Sequence, residues 1–214
     1  MLRRLLISSI VIFVVTTGTL FAQSPGSRYG GRVSWVNASA TSEGLGDTDN
    51  ALKLHSGFGG EFDATLMFSR RFGIELSVGA SSHRLCVSGG DWGEIDAGRV
   101  WLVPVNAIAQ YHPPVYGPWD PYIGIGVSWV APFYDPSAEL SDAGVDTLDL
   151  EGGAGVAGQL GVNYQLDHRW YANIDLRYSG TSLDARVRTD EEDFPTVTLD
   201  ITPFVVSLGF GYKF

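Results

Sequence analysis

The sequence predicts an all-β protein: an eight-stranded antiparallel transmembrane β-barrel with an N-terminal signal peptide. Three observations carry that expectation. First, the last stretch alternates with period two, placing Phe204, Val206, Leu208, Phe210, Tyr212 and Phe214 on one face and Val205, Ser207, Gly209, Gly211 and Lys213 on the other. A soluble sandwich strand would bury its large residues and show charged ones to water. Large apolar residues opposite small polar ones suit a wall between lipid and a narrow lumen. Second, the same alternation recurs seven more times, and an even count closes an antiparallel barrel with both chain ends in the periplasm. Third, aromatic residues collect at strand ends in two groups, as rings with an apolar body and a polar edge do at membrane interfaces.

At the N-terminus, Arg3 and Arg4 precede the apolar run Leu5 to Val15, and Leu20-Phe21-Ala22 leads into the polar Gln23-Ser24-Pro25. This pattern predicts a signal peptide over residues 1–22 and a mature barrel over residues 23–214. The alternative, an uncleaved anchor helix, would need a longer apolar core to span a bilayer comfortably. Export to a Gram-negative type of envelope follows.

Eight strands are predicted in order. The first sends Tyr29, Val33 and Trp35 outward and Arg32, Ser34 and Val36 inward; the second sets Phe58, Phe62, Ala64, Leu66 and Phe68 against Glu61, Asp63, Thr65 and Met67. After the turn Ser69-Arg70-Arg71, the third sets Phe72, Ile74, Leu76, Val78 and Ala80 against Gly73, Glu75, Ser77 and Gly79. The fourth runs from Trp101 to Tyr111 with Leu102, Pro104, Asn106 and Gln110 inward, and a proline-rich turn follows. The fifth sets Ile123, Ile125, Val127 and Trp129 against Tyr122, Gly124, Gly126, Ser128 and Val130. The sixth sets Val156, Leu160, Val162 and Tyr164 against Gln159, Gly161 and Asn163, and the turn at Asp167 leads to a seventh with Tyr171, Asn173, Asp175 and Arg177 inward. Beyond Gly180, Leu183, Ala185 and Val187 alternate with Asp184, Arg186 and Arg188 in a shifted apolar phase, which predicts a bulge near Gly180.

Tyr29, Phe68, Phe72, Tyr111, Tyr164, Trp170, Tyr212 and Phe214 mark the periplasmic ends of these strands, and Trp35, Phe58, Trp101, Trp129, Tyr178 and Phe204 the outer ends. Three connections are short. Four are long, at 37–57, 81–99, 134–151 and 180–200, and are expected outside. They hold acidic residues such as Glu139, Asp142 and the run Asp190-Glu191-Glu192-Asp193, a solvated face that could also bridge divalent ions to lipopolysaccharide.

The net charge of −10 argues against nucleic acid, which needs a basic footprint. Cys86, the single cysteine, cannot form an internal disulfide and reads as a small filler in a loop, with no metal-ligand or thiol-nucleophile spacing around it. No cofactor or metal is implied.

The stretches Pro121-Tyr-Ile-Gly-Ile-Gly-Val, Phe133-Tyr-Asp135, Ala157-Gly-Gln-Leu-Gly-Val-Asn-Tyr164, Leu199-Asp-Ile-Thr-Pro-Phe204 and Gly209-Phe-Gly-Tyr-Lys-Phe214 resemble the outer-membrane protein W family, which includes the AlkL-type proteins of alkane uptake. The similarity runs through nearly all of the mature chain in order and spacing, and is weaker in the first two loops. It implies a monomeric barrel of the outer membrane that passes small hydrophobic molecules through an apolar funnel with a lateral exit. It also implies contact with lipids and lipopolysaccharide, and a terminal strand ending at Phe214 read by the barrel-assembly machinery.

The residues permit that mechanism. Val36, Leu102, Val130, Ile201 and Val205 are expected to line an apolar funnel near the outer mouth, above a polar floor or plug of Arg32, Glu61, Asp63, Glu75, Asp175, Arg177 and Lys213. Eight strands enclose little more than their own side chains, so the floor should be closed. Arg177 stands where the resemblance implies a bulky apolar residue, and is expected to bridge to an inward carboxylate. Pro104 lacks a ladder N–H and marks the expected lateral opening, between the third and fourth strands. Two other classes remain open. A structural or adhesion barrel would have a packed lumen. A lipid-modifying enzyme would need a Ser–His pair with a carboxylate; Ser81, Ser82 and His83 lie near the rim with Asp91, Glu94 and Asp96 further along the loop, but serines and acids abound there and no motif fixes their geometry, so the expectation is that the protein is not an enzyme.

Overall fold

The computed structural model describes residues 26–38, 40–41, 51–89, 93–136, 148–187, 197–201 and 203–214. The expected signal peptide, Glu139, Asp142, Asp146, Asp91 and the acidic run at 190–193 lie outside these residues. The described strands are β1 (Arg28–Asn37), β2 (Ala40–Thr41), β3 (Ala51–Leu54), β4 (Gly57–Met67), β5 (Phe72–Gly89), β6 (Gly93–Tyr111), β7 (Trp119–Pro136), β8 (Leu148–Glu151), β9 (Gly153–Gln165), β10 (Trp170–Val187), β11 (Val197–Ile201) and β12 (Phe204–Lys213). All pair antiparallel in one sheet.

Eight of them, β1, β4, β5, β6, β7, β9, β10 and β12, form the wall. β1 pairs with both β4 and β12, and the β5–β6 pairing completes the ring, so the wall has no open edge. Closure is what lipid demands, because an unpaired backbone group there has no water to turn to. The surface is inverted relative to a soluble protein. Phe58, Phe62, Val33 and Ile125 are 76%, 70%, 69% and 67% exposed on the outside, whereas Glu75 and Asp175 are buried inside.

At the periplasmic end the aromatic residues touch one another. Tyr29 meets Phe214 edge-on at 5.1 Å, Phe72 lies 5.2 Å from Tyr111, Trp119 lies 4.6 Å from Tyr164, and Trp170 stacks on Phe210 at 5.1 Å. At the outer end Trp35 pairs across the ladder with Phe58, and Tyr178 with Phe204.

Two inward tyrosines lie flat across glycines of the next strand. Tyr122 is opposite Gly161 and Tyr171 opposite Gly211, where a Cβ would collide with the ring. Gly211→Ala would place its methyl against both the Tyr171 ring and the Tyr29 carbonyl oxygen. It is expected to destabilise the barrel by about 1–3 kcal/mol, read as an earlier urea midpoint by heat-modifiable gel mobility.

Three expectations are corrected by the ladders. The segment 81–99 is not a loop: β5 runs to Gly89 and β6 begins at Gly93, so the pair continues past the outer girdle. Cys86 therefore sits in a strand, buried, at a β-bulge where the β5–β6 register shifts between Leu85 and Cys86. No bulge occurs at Gly180. Its pairing with Val156 continues to Thr181 with Gly155, and on the other side Tyr178–Phe204 continues to Thr181–Ile201 in the same register. The irregularity lies on the partner side: Thr181 pairs with Gly155 but Asp184 with Glu151, leaving one extra residue around Gly152. The β10 backbone therefore runs on regularly through Gly180 to Val187.

Candidate functional site

The polar half of the lumen is a single charge network. Arg32 on β1 reaches Glu61 with Nη1 at 3.0 Å and clasps Glu75 with Nη1 at 3.0 Å and Nη2 at 2.6 Å. Arg177 on β10 donates to both oxygens of Glu61, at 2.5 and 3.1 Å, and to Glu75 at 3.1 Å. Asp175 lies 3.6 Å from Arg177 and Asp63 3.3 Å from Arg32. The two guanidiniums thus converge on the same two glutamates, contributed by β4 and β5, in an environment where every one of these side chains is at least nine-tenths buried.

Neutral side chains complete the layer. Gln110 and Gln159 each donate to Glu75 at 2.9 Å, and Ser77 donates to Glu61 at 3.1 Å. Tyr122 donates to Asp175 at 2.7 Å and accepts from Asn173 at 2.9 Å. Strands β1, β4, β5, β6, β7, β9 and β10 therefore all reach the axis at one level. Buried charges are tolerable only when paired and hydrogen-bonded in this way. Beneath the layer, the gap bounded by Arg28, Asp63, Tyr122, Asn163 and Tyr171 has no room for a water molecule.

Lys213 stands apart from the residues it was grouped with. It lines a cavity at the periplasmic mouth, beside Arg28, which is itself paired with Asp120 at 2.5 Å. The network consequently holds two arginines against four carboxylates. Tyr122, Gln159 and Asn173 belong to it too, and the sequence marks them only by their inward phase.

Toward the outer end the lumen changes character. Val36, Leu102 and Val130 are buried in one apolar cluster with Ala38, Leu54, Leu85, Ala97 and Val100, and Val205 packs against it. Ile201 is in β11, and its side chain is outside the described residues. The cluster is closely packed, with Leu102 at 4% and Val100 at 3% exposure.

Beside the boundary between the two halves, the β5–β6 ladder is interrupted. Val78 pairs with Val105 and Ser81 with Leu102, but Gly79 opposite Pro104 and Ala80 opposite Val103 make no pair. Pro104 keeps its register with Val130 on β7. A proline has no N–H for the partner on one side, and that side is β5. Glu61 is the cross-strand neighbour of Gly79, so the gap lies at the height of the charge layer.

Above the gap, Ser81 Oγ lies 2.9 Å from His83 Nε2, and His83 Nδ1 lies 2.9 Å from the His55 carbonyl oxygen. The carbonyl can only accept, so Nδ1 carries the proton and Nε2 accepts from the serine. Among the described residues no carboxylate orients this pair. Asp96 is half exposed and faces Arg84 at 3.6 Å, Ser82 is on the opposite face of the strand, and the side chains of Asp91 and Glu94 lie outside the described residues. Among the described residues no group of His, Cys, Asp or Glu is arranged to hold a metal ion.

Comparison with known proteins places the chain. A model described as the OmpW family matches residues 32–214. An uncharacterized outer-membrane protein of Sinorhizobium fredii is 27% identical over 156 residues, 72% of this chain and 65% of that protein. Outer membrane protein W of Vibrio cholerae is 28% identical over 153 residues, 69% of this chain and 70% of that protein. The chain thus aligns with roughly two thirds of the length of these relatives. The crystal structure of OprG from Pseudomonas aeruginosa superposes with a TM-score of 0.76 over 89% of this chain and 97% of that one, at 22% identity, a likeness of fold. An inverted surface, a closed eight-stranded wall and a family match over most of its length lead to one conclusion: the chain belongs to the OmpW family of integral outer-membrane β-barrels.

Proposed function

We propose that this barrel lets small hydrophobic molecules cross the outer membrane, entering among the apolar residues of the outer lumen and leaving sideways into the bilayer beside Pro104. The observation that carries this reading is the ladder gap at Gly79 and Ala80, placed where the apolar lumen meets the charge layer. An apolar solute above that layer cannot descend, because it would separate buried ion pairs without replacing their hydrogen bonds. The interrupted seam is then the route of lowest energy. The resemblance to AlkL-type proteins of alkane uptake supports the same solute class. On this reading the protein works as a monomer surrounded by lipid and lipopolysaccharide, and its terminal strand ending at Phe214 is the handle for barrel assembly.

Pro104→Val tests it. Valine supplies the missing N–H, and one added backbone bond of about 1 kcal/mol lowers the open fraction of the seam about five-fold. Uptake of a labelled alkane into liposomes is expected to slow by a similar factor, with the folded fraction unchanged. Unchanged uptake would reduce the gap to a local irregularity.

The close packing of the apolar cluster favours a second reading, a structural or adhesion barrel with a filled lumen. Under the uptake reading that cluster parts around the solute; under the second it never does. Wild-type liposomes that take up alkanes no faster than protein-free ones would decide for the second.

A further inference from the structure

We propose that the periplasmic mouth of the barrel is a binding site for a phosphate-bearing anion. The mouth encloses a cavity of about 960 Å³, within the size range of small-molecule sites, and it does not depend on the solute route above. The chain as a whole carries a net charge of −10, yet this end is rich in cations: Arg70 and Arg71 in the β4–β5 turn, and Arg28 and Lys213 at strand ends, all line the cavity.

The carboxylates that also line it are already engaged. Asp120 receives Arg28 at 2.5 Å, His112 Nδ1 at 2.9 Å and Asn163 at 3.3 Å. Asp167 accepts the backbone N–H groups of Arg169 at 2.7 Å and Trp170 at 2.8 Å, and these bonds hold its carboxyl below the ordinary carboxylate range. Among the described residues Arg70, Arg71 and Lys213 have no carboxylate within ion-pair distance. Three cations without an ion-pair partner, against the single unpaired charge of Asp167, leave this concave space with positive charge to spare for a group of more than one negative charge. Arginine forks match phosphate oxygens in pairs, and a lysine adds a point charge.

The cup is also held in shape before anything binds. Backbone bonds tie each turn to the next: His112 N to Arg71 O at 2.7 Å, Gln165 N to Pro118 O at 2.8 Å, and Lys213 N to Arg169 O at 2.7 Å. Gly26 N to Phe214 O at 3.1 Å and Phe214 N to Ser27 O at 2.9 Å join the two chain ends. A rim braced in this way loses little conformational freedom on binding. The charge layer and the water-free gap beneath it close the inner side, so the ligand arrives from the periplasm or from the inner leaflet, whose headgroups the adjacent aromatic girdle places at this level. A soluble phosphate compound and a phospholipid headgroup offer the same chemistry.

The test uses the full barrel in nanodiscs of phosphatidylcholine, titrated with inorganic phosphate and followed by ³¹P line broadening. Saturable binding is expected, weakened about ten-fold or more in Arg70→Gln/Arg71→Gln and also weakened in Lys213→Gln. Arg84→Gln, an exposed change at the opposite end of the barrel, should bind as the wild type does. Because the substituted mouth residues are in a turn and at a strand end, heat-modifiable mobility should show all variants folded. Nanodiscs containing phosphatidylglycerol distinguish the sources: suppression of the phosphate titration identifies a lipid headgroup, and its persistence a soluble anion. No saturable binding to the wild type in phosphatidylcholine, or equal binding to the Arg70→Gln/Arg71→Gln protein, would overturn the site.

Discussion

Arg177→Leu is expected to destabilise the barrel by about 3–5 kcal/mol, the cost of leaving buried charges without their partner. Arg177 supplies three hydrogen bonds to Glu61 and Glu75, and leucine supplies none. The carboxylates of Glu61, Glu75, Asp63 and Asp175 would then share Arg32 alone. Ser77, Gln110, Gln159 and Tyr122 would still donate to three of them, but no neutral donor offsets a missing charge in so dry a setting. The urea midpoint should fall accordingly, and water entering to solvate the orphaned acids should raise ion leakage through the lumen. Arg177→Lys should lie between, since one ammonium cannot reproduce a fork shared between two glutamates. Adding Glu61→Gln to Arg177→Leu should recover part of the loss, because it removes one of the stranded charges; a double-mutant cycle measures the coupling. Wild-type stability together with wild-type leakage in Arg177→Leu would show that the layer neither plugs nor supports the barrel.

Leu208→Arg is expected to cost about 2–4 kcal/mol and to impair assembly. Leu208 lies midway along β12, between Val33 and Ile174 on its neighbours, and is 58% exposed on the lipid side. A guanidinium there must be dehydrated or drag water into the bilayer. Ser207, one residue away, points inward and shares a 2.8 Å hydrogen bond with Ser34, so Ser207→Ala should cost only about 1 kcal/mol. Heat-modifiable gel mobility compares the two. Equal tolerance would mean that the faces of β12 have been assigned the wrong way round.

The phase of the wall strands was legible because it is a local property: each residue's face follows from counting by two, and lipid outside the barrel makes the two faces chemically opposite. Where that contrast fails, the alternation no longer marks a strand. Past Ala80, Ser82 and Arg84 turn outward into water while Leu85 and Cys86 stay inside, and a segment so patterned looks like loop. The shifted alternation beyond Gly180 predicts a bulge, although the β10 ladder runs through unbroken.

By itself, then, the sequence determined the eight-stranded wall, the two girdles and the inward phase of the charges that form the layer, since all of these follow from period-two alternation and from where aromatic residues recur. Which charges meet was decided only by the tertiary structure. Arg177 and Glu61 are separated by 116 positions and Arg32 and Glu75 by 43, and whether they share a level depends on the stagger accumulated around the closed sheet. That stagger brings four carboxylates and two arginines to one height, sets Lys213 outside them at the mouth, and places the gap beside Pro104 at the edge of the charge layer. No periodicity along a single strand contains this information, because height in a barrel is a property of the neighbours a strand pairs with.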